Sequence, residues 1–249
     1  MIKQWIKKAV IILFWLLMWQ LASIVLNQPI VLTGPLEVAA ALFVLILQGE
    51  FWLTVAMTLI KILAGFLCAL AAGFILGTLS WRFKWQRDLL APVISLMKSI
   101  PVASFVILAL IWVGAENLSV LISFLVALPM IYVHTLAGLS GTDPKLLEMS
   151  AVFGMSFWNK CRYIYWSGLK PHINEGIRVT MGFCWKSGVA AEVIGVPDHS
   201  IGEKLYMAKI YLSTDELLAW TLVVILLSAL FEKLCLWLLG RRDTHGNTH

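Results

Sequence analysis

The chain has 249 residues, 60% of them hydrophobic and 13% charged, with a formal net charge of +5 and a mean hydropathy of +0.87. A soluble domain carries about 45–50% apolar and about 25% charged residues, so this chain cannot cover itself with polar surface and its solvent is mostly lipid. Its basic residues form no tract with interleaved aromatics, which argues against a nucleic-acid partner, and its length accommodates several spans of about 20 residues but no added soluble catalytic domain.

In chain order, residues 9–26 are the first predicted span. The stretch begins like a signal peptide, but it is too long for an h-region and no clean small-x-small cleavage site follows, so it is read as uncleaved. Residues 35–48 follow a Thr33-Gly34-Pro35 turn and are expected to lie along the membrane surface or to re-enter it. The second span, 55–79, carries Lys61 towards its outer end and a Gly73–Gly77 small-xxx-small pair that permits close helix contact. The third, 89–113, is divided by Lys98, Ser99 and Pro101 into two pieces. At 1.5 Å per residue each piece is too short to cross alone, which predicts a span broken or kinked near Pro101. The fourth is 118–139, with Pro129 and His134 inside, the fifth 173–196, with Arg178, Lys186 and Glu192, and the sixth 217–239.

The Lys and Arg residues orient these spans. With six spans and the N-terminus inside, the inner segments hold Lys3, Lys7, Lys8, Arg82, Lys84, Arg87, Lys145, Lys160, Arg162, Lys170, Arg241 and Arg242, while the outer ones hold Lys204 and Lys209, twelve against two. Merging or dropping a span would scatter these charges over both faces. The expected fold is therefore an all-α integral membrane protein of six transmembrane helices, both termini cytoplasmic, in a single domain over 1–249 whose core is 55–239.

Residues 141–171 separate the fourth and fifth spans and are too long and too polar for a hairpin turn. Asp143 can cap a helix with Pro144 in its first turn, and 145–153 continue it. Gly154 tolerates a left-handed backbone, and Ser156 can cap a second helix over 157–166. The reading is two short helices at an angle around a glycine, with apolar side chains that need a partner's groove.

These residues carry a family resemblance. Glu148, Gly154 six positions on and Ile164 ten beyond resemble the EAA loop of binding-protein-dependent ABC importer permeases. Glu148-Met149-Ser150 stands where that family has Glu-Ala-Ala, and Trp166-Ser167 where it has Leu-Pro. The run from Asp143 to Glu148, the stretch Trp185-Lys186-Ser187-Gly188-Val189-Ala190-Ala191-Glu192, and Ser99-Ile100-Pro101 are similar to the nitrate/sulfonate/taurine-type branch. The likeness runs from Gly34 to Leu239. It implies a permease subunit in a bacterial inner membrane, multi-pass, whose loop at Glu148, Met149, Ser150, Gly154 and Ile164 docks on a cytoplasmic ABC ATPase. It also implies two such ATPases, a second permease chain, in a homodimer or as a similar partner permease, and an external solute-binding protein that delivers a small solute such as a sulfonate, nitrate or taurine-like anion. Met149 is bulkier than Ala and restricts which ATPase fits. Without a proline after Ile164, the second helix is free to run on towards Pro171.

The chain has no GxxxxGK[ST] phosphate loop, so ATP and Mg are expected in the partner ATPase and no cofactor in this chain. Lys98, Lys186 and Glu192 are candidates either for the translocation path or for pairing within the membrane, because charge in lipid is costly unless it faces a cavity or a partner. Lys186 and Glu192 lie six apart, which is not the spacing of a helical pair. Cys68, Cys161, Cys184 and Cys235 match no metal or redox motif and read as small buried hydrophobes, and no histidine pair has metal-ligand spacing. The alternative is an ion-coupled secondary transporter, which the broken third span would suit, although no internal repeat is visible. No cluster of catalytic residues suggests an enzyme.

Overall fold

A computed structural model describes residues 2–240. Helix accounts for nearly all of them, and no strand occurs among the described residues. The helices are α1 (Ile2–Leu26), α2 (Pro35–Ile46), α3 (Gly49–Arg82), α4 (Lys84–Ser99), α5 (Val102–Val113), α6 (Leu118–Ser140), α7 (Pro144–Val152), α8 (Phe157–Asn159), α9 (Trp166–Gly195), α10 (Ile201–Ile210) and α11 (Thr214–Gly240). A π-helical turn, Lys160–Tyr165, joins α8 to α9 without a break.

Four helices, α1, α3, α6 and α11, are long and apolar enough to cross a membrane, or five spans if the bent pair α4–α5 counts as one. The expected fifth span lies within α9, which is 30 residues long but too rich in charge to join that set on composition. The break at Pro101 is real and larger than a kink. α4 and α5 meet at 105°, Ser99 ends α4, and Pro101 caps α5 in an extended conformation. A proline lacks the N–H that a continuous helix needs and disfavours helical geometry in the residue before it.

The centre of the molecule is α3, α6 and α9 side by side. Small residues let α3 and α6 touch along their length. A Cβ on Gly65 would strike the Val120 carbonyl, one on Gly73 would come within 2.9 Å of Ile131, and one on Gly77 within 2.7 Å of Thr135. The Gly73–Gly77 pair is thus part of a three-glycine stripe facing one helix. Across α6, Gly176 of α9 receives the side chain of His134. The core residues Ile62, Phe66, Ile131, Ile177, Met181 and Trp185 fill the space between the three. α2 lies between α1 and α11, bordering a cavity shared with Leu16, Trp19, Leu218 and Leu222.

The two ends of the bundle differ in charge. Arg82, Trp81, Leu139, Tyr165 and Trp166 meet at one, the basic end, where Trp81 and Tyr165 are edge to face at 5.1 Å. At the other, Lys204 reaches Glu50 at 2.5 Å, Lys61 reaches Glu116 at 2.7 Å, and Thr214 Oγ1 donates to the Ile30 carbonyl.

One expected boundary is overturned. The segment after α6 does not end at Pro171. The helix that begins at Phe157 runs through the π turn into α9 and passes Pro171 without stopping. Trp166-Ser167 offers no helix breaker. One proline costs a single backbone bond, while Leu169 and Ile173 on either side of it are buried in the core. α10 lies in what the sequence suggested was a plain outer loop. Its sign was present as Ser200-Ile201-Gly202-Glu203, the spacing of a capping box.

Candidate functional site

The segment at the basic end is built by its caps. Asp143 is extended, and its Oδ1 accepts from the Lys145 amide at 2.9 Å, with Pro144 at the first helical position. At the other end of α7 the Gly154 amide donates to the Ala151 carbonyl and the Met155 amide to the Ser150 carbonyl, with Gly154 at φ +60°. This is a Schellman closure, and it needs a residue that accepts the left-handed region. Ser156 Oγ then accepts from Asn159 to start α8. Of the residues singled out for this segment, Glu148 and Met149 are exposed, Ser150 is buried with its hydroxyl donating to the Leu147 carbonyl, and Ile164 is buried inside the π turn.

Several apolar side chains at α7 are exposed. Leu146, Met149 and Phe153 share a helical stripe at 43%, 48% and 79% exposure, with Val152 at 84% beside them. Beyond the glycine, Phe157 and Trp158 are also exposed. A short helix held rigid at both ends and apolar on its free face is shaped to enter a groove.

The charged residues of the spans separate into two environments. Lys98, in the last turn of α4, and Lys186 are exposed. Lys186 shares an open face of α9 with Glu175, Arg178, Gly182 and Ala190, and a Cβ at Gly182 would meet nothing within 4 Å. Arg178 is partnered on that face by Glu232 of α11 at 3.6 Å.

Glu192 is on the other side of α9 and fully buried. Its Oε2 accepts from Thr58 Oγ1 at 2.9 Å and from the Gly202 amide at 3.3 Å, and Thr58 Oγ1 accepts in turn from the Ile201 amide at 2.9 Å. The carboxyl thus caps the N-terminus of α10, where free amides and the helix dipole favour it. The approach is so close that a Cβ on Gly202 would collide with the Glu192 backbone. Ser119 lies near the carboxyl, yet neither its Oγ nor Glu192 Oε1 closes a hydrogen bond among the described residues. Thr58, Ser119 and Gly202 were not legible as partners, because they come from three segments far apart in the chain.

At the same end Glu116 binds Lys61 and accepts from the Asp198 amide at 3.3 Å. The hydrogen bond and charge of Lys61 hold its carboxyl below the usual carboxylate range. The cysteines are free and differ in setting. Cys184 is buried, Cys161 and Cys235 are half-buried, and Cys68 is exposed, which corrects the reading of all four as buried. No group of three metal-ligating side chains forms among the described residues.

A bundle of apolar helices whose two ends differ in charge, with a capped helical segment between two of its helices, is the architecture of a multi-pass membrane protein. Residues 65–241 match the family described as binding-protein-dependent transport system inner membrane component, and the chain belongs to that family. It is 27% identical over 246 residues to the taurine transport system permease protein TauC of Escherichia coli, covering 96% of this chain and 88% of the relative. It is 30% identical over 221 residues to the putative aliphatic sulfonates transport permease protein SsuC of E. coli, covering 87% and 81%. It is also 26% identical over 228 residues to the riboflavin transport system permease protein RibX of Chloroflexus aurantiacus, covering 88% and 85%. The chain is a multi-pass inner-membrane permease subunit of the ABC transport class.

Proposed function

We propose that this chain is the membrane subunit of an ABC importer, with six spans and both termini cytoplasmic, α9 serving as the fifth span. Residues 141–171 contain the coupling segment, in which α7 docks into a cleft of a cytoplasmic ATPase. Two ATPases, two copies of this permease and an external solute-binding protein make the working assembly. ATP and Mg are held by the ATPases. Closure of the ATPases moves the docked helices, and the rigid run from Phe157 through α9 carries that motion into the membrane. The solute is a small anion of the sulfonate or taurine kind, as the names of the relatives suggest, and Lys98 and Lys186 on open faces supply positive charge along its path.

The observation that carries this reading is the apolar stripe Leu146–Met149–Phe153 on a doubly capped helix at the basic end. Exposed apolar surface of this kind marks an interaction site. Co-purification with the neighbouring ATPase tests it. Glu148→Arg or Gly154→Asp is expected to abolish ATPase association and uptake while the permease still inserts. Retention of both by either variant sinks the docking assignment.

A further inference from the structure

We propose that the basic end holds a binding site for an anionic phospholipid, in a cavity of about 580 Å³ between the ends of α3 and α6 and the stretch from α8 to the start of α9. That volume lies inside the range of about 300–1,000 Å³ typical of ligand sites. Its wall is largely apolar and aromatic, with Phe74, Trp81, Phe157, Tyr165 and Trp166, joined by Thr78, Arg82 and Cys161.

Polarity along this wall follows the length of a phospholipid. Phe74 and Arg82 are eight residues apart on α3, about 12 Å at 1.5 Å per residue, so the cavity passes from apolar depth to a guanidinium at its rim. Leu79 in the wall and Ile75 one turn away on α3 are both exposed, a surface that lipid tails would cover. Arg82 is the charged group in the wall, and further basic residues stand near it in the chain. Lys84 follows Arg82 at the α3–α4 corner, and Lys160 and Arg162 flank Cys161 on the π turn. Arg82 lies 5.6 Å over the Phe83 ring and Arg162 5.6 Å over the Tyr163 ring. Basic pockets between membrane helices at this level suit phosphate headgroups, and Trp81 sits where interfacial aromatics sit. A lipid there touches the Phe157–Trp166 run directly, so its occupancy stiffens the joint between the exposed segment and α9.

The test is native mass spectrometry of the purified full-length permease in detergent, titrated separately with phosphatidylglycerol and phosphatidylcholine. The wild type is expected to hold phosphatidylglycerol in preference. Arg82→Gln with Lys160→Gln is expected to weaken that binding by about 25-fold, about fivefold for each charge removed. Lys204→Gln, at the opposite end, serves as the charge control and is expected to change nothing. Thr78→Phe fills the cavity without altering charge and is expected to remove the bound lipid. Circular dichroism confirms that each variant is folded. Equal binding of the two lipids, or unchanged phosphatidylglycerol affinity in the double variant, overturns the proposal. So does displacement of the lipid by added ATPase subunit, which would assign the cavity to protein docking instead.

Discussion

Thr58→Val isolates the polar joint between α3, α9 and α10. Valine keeps the branched shape and removes the hydroxyl, which donates to Glu192 and accepts from the Ile201 amide. Hydrogen bonds between membrane helices average about 0.6 kcal/mol, because unfolded helices in lipid find other partners, so two bonds alone give about 1.2 kcal/mol. Here the larger effect is what remains behind. Ile201 and Glu192 are both fully buried, and an orphaned buried donor costs about 1–3 kcal/mol. The expected loss is about 2–4 kcal/mol, which for a chain of this size lowers Tm by roughly 10 °C. Thermal unfolding of the purified protein in detergent, followed by circular dichroism, measures it. Thr58→Ser keeps both bonds and gives up one methyl, a loss of about 0.8 kcal/mol. A Thr58→Val protein that melts within about 2 °C of wild type would refute the reasoning, and so would a serine variant as unstable as the valine one.

Three further outcomes follow from the same geometry. Gly154→Ala meets no steric obstacle, since nothing lies within 4 Å of its Cβ position, so its cost is the left-handed backbone alone, about 1–2 kcal/mol. It is expected to loosen the segment after α7, read as faster proteolysis there, with global Tm little changed. Glu116 has its folded pKa depressed by Lys61, so the ion pair stabilises the fold above the unfolded value of about 4.3 and fades as pH falls through the folded pKa. Glu116→Gln is therefore expected to melt below wild type at pH 7 and to converge on it in acid, and a gap that widened on acidification would contradict the assignment. Lys186→Gln is expected to reduce uptake of an anionic solute in reconstituted vesicles while ATPase association stays intact, and unchanged uptake would remove Lys186 from the path.

Much of the fold could be read from the chain because lipid imposes a simple rule. Each crossing needs a long apolar helix, and the basic residues gather at one end. That rule located the helices now seen as α1, α3, α6 and α11, while local backbone chemistry placed the break at Pro101 and the capped start of α7 at Asp143-Pro144. The rule was weakest where a long helix carries charge. α9 holds Arg178, Lys186 and Glu192, and its apolar periodicity alone does not reveal that Arg178 is answered by Glu232 and Glu192 by Thr58 and Gly202. The run through Pro171 was hidden for a similar reason. Local chemistry marks a proline as a stop, and only the burial of Leu169 and Ile173 against the core outweighs the lost bond.

By itself the sequence determined the class of the protein, the end of the bundle that bears its charge and the helix that stands uncovered there, since each depends on composition or short spacing. Tertiary structure alone decided the fate of Lys186 and Glu192 on α9. Six residues turn a helix through about 240° beyond a full revolution at 3.6 residues per turn, so Lys186 and Glu192 leave α9 in different directions. Packing then buried Glu192 under the N-terminus of α10 and left Lys186 on the open face.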